Sequence, residues 1–154
     1  ALSNNKKAHD YFLNRLKTLT KYHPPIKFKL AEYYFDNKEY KRSEEVIGEI
    51  FSDFDRLILD YKKKGAKISI TSPQLDDVYF LLALVQKKQN KTEEALGNFM
   101  MATLHNPMHA TALYNSSLLL KELGQYELAK KHFQEAMELN PFLRETIKNL
   151  NSDL

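Results

Sequence analysis

The chain has 154 residues, 43% hydrophobic and 28% charged with a net charge of +3, the composition of a globular domain in aqueous solution. It has no cysteine, which excludes a disulfide framework, a thiolate metal site and a cysteine nucleophile. No apolar run approaches the length of about 18 residues of a membrane span, and lysines are interleaved with acidic residues. We therefore expect neither membrane insertion nor nucleic-acid binding. The composition identifies no compartment, and the cytoplasm is our expectation.

Helical periodicity describes the first part of the chain. Apolar residues recur every three or four positions up to the proline pair at Pro24, so residues 1–23 are predicted to form an N-terminal capping helix or partial repeat. A second helix is predicted over 26–37. A third helix follows the turn "DNKEY" and ends at "YKKKG", where three cations and then Gly65 suit a helix C-terminus.

The sequence after Gly65 indicates four further helices and a tail. The stretch "AKISIT" is predicted to be a linker, and a serine followed by Pro73 is a good helix start. Helices are predicted at 73–89, 92–105, 109–123 and 125–139. A capping helix or tail is expected over 144–154.

Two stretches in the C-terminal half repeat with a period of 34 residues, each ending at a proline. The shared positions hold Tyr79, Leu82, Ala83, Gln86, Ala95, Phe99, Ala102 and Pro107 in one copy and Leu113, Ser116, Ser117, Leu120, Ala129, Phe133, Ala136 and Pro141 in the next. This pattern resembles the tetratricopeptide repeat, a pair of antiparallel helices. The resemblance implies that the alanines allow the helices to approach closely and that the phenylalanines fill the space between neighbouring pairs.

An earlier stretch resembles the same repeat less closely. Its matching residues are Leu30, Ala31, Tyr34, Tyr40, Ser43, Ile47 and Ile50. Between the end of this copy at Asp55 and the start of the next at Asp76 lie 20 residues, where a regular array has two. The domain organisation that we expect is a divergent first repeat at 24–55, a helix extension and linker insertion at 56–75, a second repeat at 76–109 and a third repeat at 110–143. The expected fold class is all-α, a right-handed superhelical stack of antiparallel helix pairs.

The resemblance implies a non-catalytic protein-interaction module. In such stacks the first helices line a concave face, and side chains that point there are not expected to be needed for packing. The corresponding residues are Phe28, Glu32, Phe35, Phe80, Leu84, Lys87, Tyr114, Asn115, Leu118 and Lys121. This apolar groove with a charged lip favours a peptide or helical segment with leucine or aromatic anchors as partner. Two alternatives stay open: a scaffold subunit of a larger assembly with the groove covered, and a homodimer.

Some members of this family clamp the C-terminal carboxylate of heat-shock chaperones with lysine, asparagine and arginine side chains. The matching positions here are Phe28, Glu32, Leu81, Thr111 and Asn115, which provide no cation. We therefore expect no binding of chaperone tails by such a clamp.

No catalytic, cofactor or metal site is predicted. His105 and His109 flank Pro107, which breaks the helix that would align them on a metal, so we assign them to the turn between repeats. Asp76 and Asp77 are predicted to lie in a first helical turn, where the helix dipole favours negative charge, and we expect both to be solvated.

Overall fold

The computed structural model describes residues 7, 10, 11, 14, 15, 23–64 and 73–143, and every regular element among them is an α-helix. The chain divides into two compact units, Ala1–Gln74 and Leu75–Leu154. The first unit contains α1 (Pro24–Asp36) and α2 (Tyr40–Lys64), and the second contains α3 (Leu75–Lys88), α4 (Thr92–His105), α5 (Ala110–Glu122) and α6 (Tyr126–Leu139). The expected all-α fold of helix pairs is confirmed.

The predicted helices lie within about two residues of the observed ones, and the largest differences concern prolines. Helix α1 begins at Pro24, not at position 26, because the first turn of a helix needs no backbone N–H donor there. The side chain of His23 caps this helix by accepting a hydrogen bond from the backbone N–H of Ile26 at 3.3 Å. Helix α3 begins two residues after Pro73.

Helix α2 is the longest element described, with 25 residues against 13 for α1. It extends to Lys64, immediately before the glycine at which the sequence predicts its end. Three sequence predictions fall outside the described residues: most of the N-terminal helix, the linker at 65–72 and the tail at 144–154. The described positions 7, 10, 11, 14 and 15 are helical. No helix among the described residues has the combination of length and hydropathy that a bilayer span requires.

The turn inside each helix pair has the same backbone geometry. Lys38, Asn90 and Gly124 occupy one repeat position, and all three have a left-handed backbone, with φ of 62°, 61° and 76°. In each turn this N–H donates to the carbonyl three residues before it, and the next N–H donates to the carbonyl five residues before. The donor and acceptor pairs are Lys38 to Phe35, Glu39 to Tyr34, Asn90 to Lys87, Lys91 to Gln86, Gly124 to Lys121 and Gln125 to Leu120. The divergent copy at 24–55 therefore contains the turn of the two regular copies.

Two other equivalent positions, one on each helix of a pair, carry different chemistry in each copy. In the first pair Lys27 Nζ forms a buried ion pair with Asp53 Oδ2 at 2.5 Å. In the second pair the rings of Tyr79 and His105 stack with centroids 5.4 Å apart. In the third pair Leu139 packs against the buried cluster that contains Leu113. The residues at these two positions thus change from an ion pair to an aromatic pair to two leucines.

The core of the second unit forms where α5 packs against α3 and α4. Ala83, Ala95 and Ala102 are fully buried there, together with Phe99, Ala112 and Leu119. Phe99 fills the space between two helix pairs, as expected, and its exposed fraction is 0%. Phe133, at the matched position of the third repeat, is 37% exposed because no described helix packs beyond α6. The expectation that both phenylalanines fill such a space is therefore wrong for Phe133 within the described residues.

Candidate partner-binding surface

Helices α3 and α5 of the second unit present a row of partly exposed side chains. Seven of the predicted groove residues lie on these helices: Phe80, Leu84, Lys87, Tyr114, Asn115, Leu118 and Lys121. Lys121 is exposed and the others are partly buried. Lys87 Nζ donates a hydrogen bond to Asn115 Oδ1 at 3.3 Å, which connects the two helices across the row. We call these residues the α3–α5 groove.

The aromatic residues of the groove also contribute to packing. The ring of Phe80 lies 5.6 Å from the ring of Phe99 and 4.7 Å from that of His109, measured between centroids. Leu84 packs against the same core cluster. The expectation that groove side chains are not needed for packing is therefore wrong for Phe80 and Leu84: each offers a partner only the part of its surface that stays exposed.

The three remaining predicted residues lie on α1 of the first unit. Phe28, Glu32 and Phe35 follow one another at helical spacing, and each is partly buried. Glu32 accepts a hydrogen bond from Lys29 Nζ at 2.7 Å, and the ring of Phe35 lies 5.8 Å from that of Tyr40. The predicted site residues therefore form two groups, one in each unit.

A second accessible feature, which sequence reasoning missed, is an apolar depression of about 300 Å³ between α5 and α6. Its lining residues are Ser117, Leu118, Lys121, Tyr126, Ala129, Lys130 and Phe133. We call it the α5–α6 notch. The sequence gives little indication of the notch, because the repeat pattern assigns Ala129 and Phe133 to the interior.

A cluster of polar groups lies where α3 begins. Atoms of Asp76, Asp77 and His109 that could hold a metal ion lie within 4.8 Å of one another. Two of these residues have structural hydrogen bonds: Asp76 Oδ2 accepts from Asn106 Nδ2 at 2.7 Å, and His109 Nδ1 accepts from the backbone N–H of Ala112 at 3.2 Å. Asp76 is only 8% exposed, so its expected solvation is wrong. The cluster ties the start of α3 to the turn that precedes α5.

A serine and a histidine are close together inside the third helix pair. Ser116 Oγ lies 2.7 Å from His132 Nδ1 and donates to the carbonyl of Leu113 at 2.8 Å. The tautomer of the histidine decides whether the ring nitrogen or the hydroxyl donates in the bond between the two side chains. Ser116 is fully buried, and partial burial lowers the pKa of His132, an effect that Glu135 opposes. The pair is a structural contact between α5 and α6.

Comparison with known proteins supports this description of the fold. Residues 110–142 match the family described as tetratricopeptide repeat, which confirms the resemblance seen in the sequence. None of the curated proteins matches the chain in sequence. Together the repeat and the solenoid fold support a role in protein interaction.

Several solved structures are similar to this chain. The crystal structure of MamA is 15% identical, over 84% of this chain and 65% of that one, with a TM-score of 0.66. A second structure, MamA MSR-1 C2, is 17% identical over 85% and 65%, with a TM-score of 0.61. A chain of the CopN-Scc3 complex is 12% identical over 90% and 72%, with a TM-score of 0.62. The chain thus spans 65% of the length of these MamA chains, and the likeness concerns the fold alone.

Proposed function

We propose that this chain is a non-catalytic protein-interaction module that binds a peptide or helical segment in the α3–α5 groove. The observation that carries the proposal is the row of partly exposed apolar side chains on two neighbouring helices: Phe80, Leu84, Tyr114 and Leu118. Full burial of one such side chain contributes roughly 1.5–3 kcal/mol, and a partner gains the share that is still exposed. Several anchors are therefore needed for a stable complex.

The geometry of the groove favours a ligand with spaced apolar anchors. Lys87 and Asn115 form a polar bridge between the helices, so anchors are expected on the apolar side of this bridge. The core contacts of Phe80 hold its ring in place before a partner binds. A preorganised ring loses little side-chain entropy on binding, which favours affinity. The partner of this proposal is a protein segment with leucine or aromatic side chains.

To test the proposal, peptides are selected from a display library with the full chain as bait, and their affinity is measured by calorimetric titration. Replacing Leu84 and Tyr114 together by alanine is expected to weaken binding by about 2–4 kcal/mol. Leu104→Ala is the matched control, because Leu104 is 71% exposed on α4 and lies outside the groove. Thermal unfolding of each variant is measured as well, since Leu84 and Tyr114 each pack against a buried cluster. Unchanged affinity in a folded double variant would contradict the proposal.

One observation favours the alternative role as a scaffold subunit. The outer surface of α4 and the turn after it expose Met100, Leu104 and Met108. The matched positions of the third repeat are Gln134, Glu138 and Phe142, two of them polar. Exposed apolar surface of this kind is typical of a contact with another protein.

Charge substitutions on α4 separate the two roles. If the chain is a scaffold subunit, Met100→Glu with Leu104→Glu should remove a stoichiometric partner that co-purifies with the chain. The same double variant should leave peptide binding in the α3–α5 groove intact. Light scattering after size exclusion also detects a homodimer formed through this surface. Retention of the co-purified partner would argue against the scaffold role of α4.

A further inference from the structure

The α5–α6 notch has a counterpart in the preceding helix pair, and the alanine and the phenylalanine of that counterpart, Ala95 and Phe99, are fully covered. Positions 34 residues earlier hold Ala83, Leu84, Lys87, Thr92, Ala95, Leu96 and Phe99. Helix α5 packs over this surface, and its residues Ala112 and Leu119 belong to the same buried cluster as Phe99. The preceding pair thus shows which element fits such a surface: a helix that inserts a small residue and, seven residues later, a leucine.

The notch itself is open among the described residues. Phe133 is 37% exposed, whereas Phe99 at the matched position is 0% exposed. The described part of the chain ends at Leu143, so no described helix covers α5 and α6 as α5 covers α3 and α4. On the apolar floor formed by Leu118, Ala129 and Phe133, the exposed surface is mainly that of Leu118 and Phe133, since Ala129 is 7% exposed.

The rim of the notch differs from its counterpart in charge. Lys130 stands where the preceding pair has Leu96, and Lys121 stands opposite on α5. Neither lysine pairs with a carboxylate among the described residues, whereas the neighbouring Lys131 forms an ion pair with Glu135 at 3.8 Å. A helix that covers this apolar floor meets two cations, so carboxylates beside its anchor are favourable.

If the 34-residue repeat is continued past α6, the chain does not provide a leucine at the position that would cover the notch. Residues 34 positions after Ala112 and Leu119 are Thr146 and Asp153, which replace the leucine by a carboxylate. We propose that the α5–α6 notch binds an amphipathic helix of a partner protein, which inserts a leucine over Ala129 and Phe133 and carries carboxylates next to Lys121 and Lys130. The notch adjoins the α3–α5 groove and shares Leu118 and Lys121 with it, whereas Ala129, Lys130 and Phe133 belong to the notch alone.

The first experiment uses synthetic helical peptides as probes and the full chain as receptor. One peptide has a central leucine flanked by glutamates one helical turn away on each side; in two others the leucine is alanine or the glutamates are lysines. A fluorophore is attached at Gln134→Cys, beside the notch, because the chain contains no other cysteine. We expect the alanine and lysine peptides to bind about tenfold more weakly than the first.

The second experiment exchanges the charges of the notch. The double variant Lys121→Glu with Lys130→Glu is expected to prefer the lysine peptide over the glutamate peptide. Lys131→Glu is the matched control, since Lys131 is also an exposed lysine of α6 but does not line the notch. It should keep the original preference. Ala129→Leu, which fills the floor, should abolish binding in a protein that still unfolds cooperatively.

Variants at residues that the notch and the α3–α5 groove do not share test the two proposals separately. Binding of the glutamate peptide should survive Phe80→Ala with Leu84→Ala, which changes two groove residues that do not line the notch. Loss of binding in that variant, or an unchanged charge preference after the exchange at Lys121 and Lys130, would overturn the proposal.

Two other occupants of the notch would also overturn it. Reaction of the Gln134→Cys thiol with a labelling reagent measures whether the notch is free without peptide. If the thiol is protected from the reagent at every protein concentration, and Asp153→Lys removes this protection, the notch is occupied by the chain's own tail. Protection that increases with protein concentration would assign it to a second copy. Rapid labelling that only the glutamate peptide slows is the expected result.

Discussion

Lys38 has a left-handed backbone at a position where the third repeat has Gly124. A side chain with a Cβ atom costs roughly 1–2 kcal/mol in this conformation, while glycine increases the entropy of the unfolded chain by a smaller amount. We expect Lys38→Gly to raise the free energy of unfolding by about 0.5–1 kcal/mol. Urea denaturation measures this change. Asn90→Gly serves as the comparison and should gain less, because asparagine tolerates the left-handed region.

His132 makes the stability of the third helix pair dependent on pH. Partial burial lowers its pKa from the ordinary value of 6.5, despite the opposing effect of Glu135. The unfolded state therefore binds the proton first as the pH falls below that value, and the free energy of unfolding decreases until the folded state is protonated too. Above that window the histidine is neutral in both states and contributes no pH dependence.

The histidine effect is tested by comparing stabilities at about pH 8 and about pH 5.5. His132→Asn should reduce the difference between the two values, because asparagine does not titrate. Asparagine is the residue at the matched position of the second repeat, where Asn98 Nδ2 donates to Gln86 Oε1 at 2.7 Å. An equal pH dependence in wild type and variant would show that other groups cause it.

At the scale of a helix pair, the buried ion pair of the first repeat permits a sharp test. Lys27→Met leaves Asp53 buried without its closest cation and is expected to cost about 3–5 kcal/mol of unfolding free energy. Glu49, whose Oε2 lies 3.3 Å from Lys27 Nζ, loses the same partner. The measurement is chemical denaturation followed by circular dichroism.

Replacing both partners should be much less harmful than replacing one. Lys27→Leu with Asp53→Leu introduces the residues that the third repeat has at the same positions, Leu113 and Leu139. We expect this double variant to recover most of the lost stability, since apolar pairs of similar size can replace buried ion pairs. If the double variant is as unstable as Lys27→Met, the two repeats do not share this contact.

Helix positions were largely predictable from the sequence, whereas the role of individual groove residues was not. Periodicity and the 34-residue register locate α3 to α6 because both depend on neighbours along the chain. Whether Phe80 is free or packed depends on Phe99 and His109, which lie outside its own helix. The notch at Phe133 was missed for a related reason: the exposure of this ring depends on whether another helix packs over α6, which the pattern within the repeat does not encode.

At the scale of the whole molecule, the position of a repeat within its stack determines how much a given residue contributes to the free energy of unfolding. Each pair in a solenoid contacts only its neighbours, so Phe99 is buried between pairs while Phe133 is partly exposed. Phe99→Ala is expected to cost about 3–5 kcal/mol. Phe133→Ala should cost less than about half of that, because less apolar area is removed from the interior. Thermal and chemical unfolding of the two variants give the comparison, and equal losses would contradict it.

Two equivalent positions hold an ion pair in the first helix pair, a stacked aromatic pair in the second and two leucines in the third, which indicates how such repeats diverge. Changing Lys27 or Asp53 alone passes through a chain with a buried unpaired charge, so the two positions are expected to vary together across related sequences. Covariation between such positions would detect divergent repeats that single-position conservation misses.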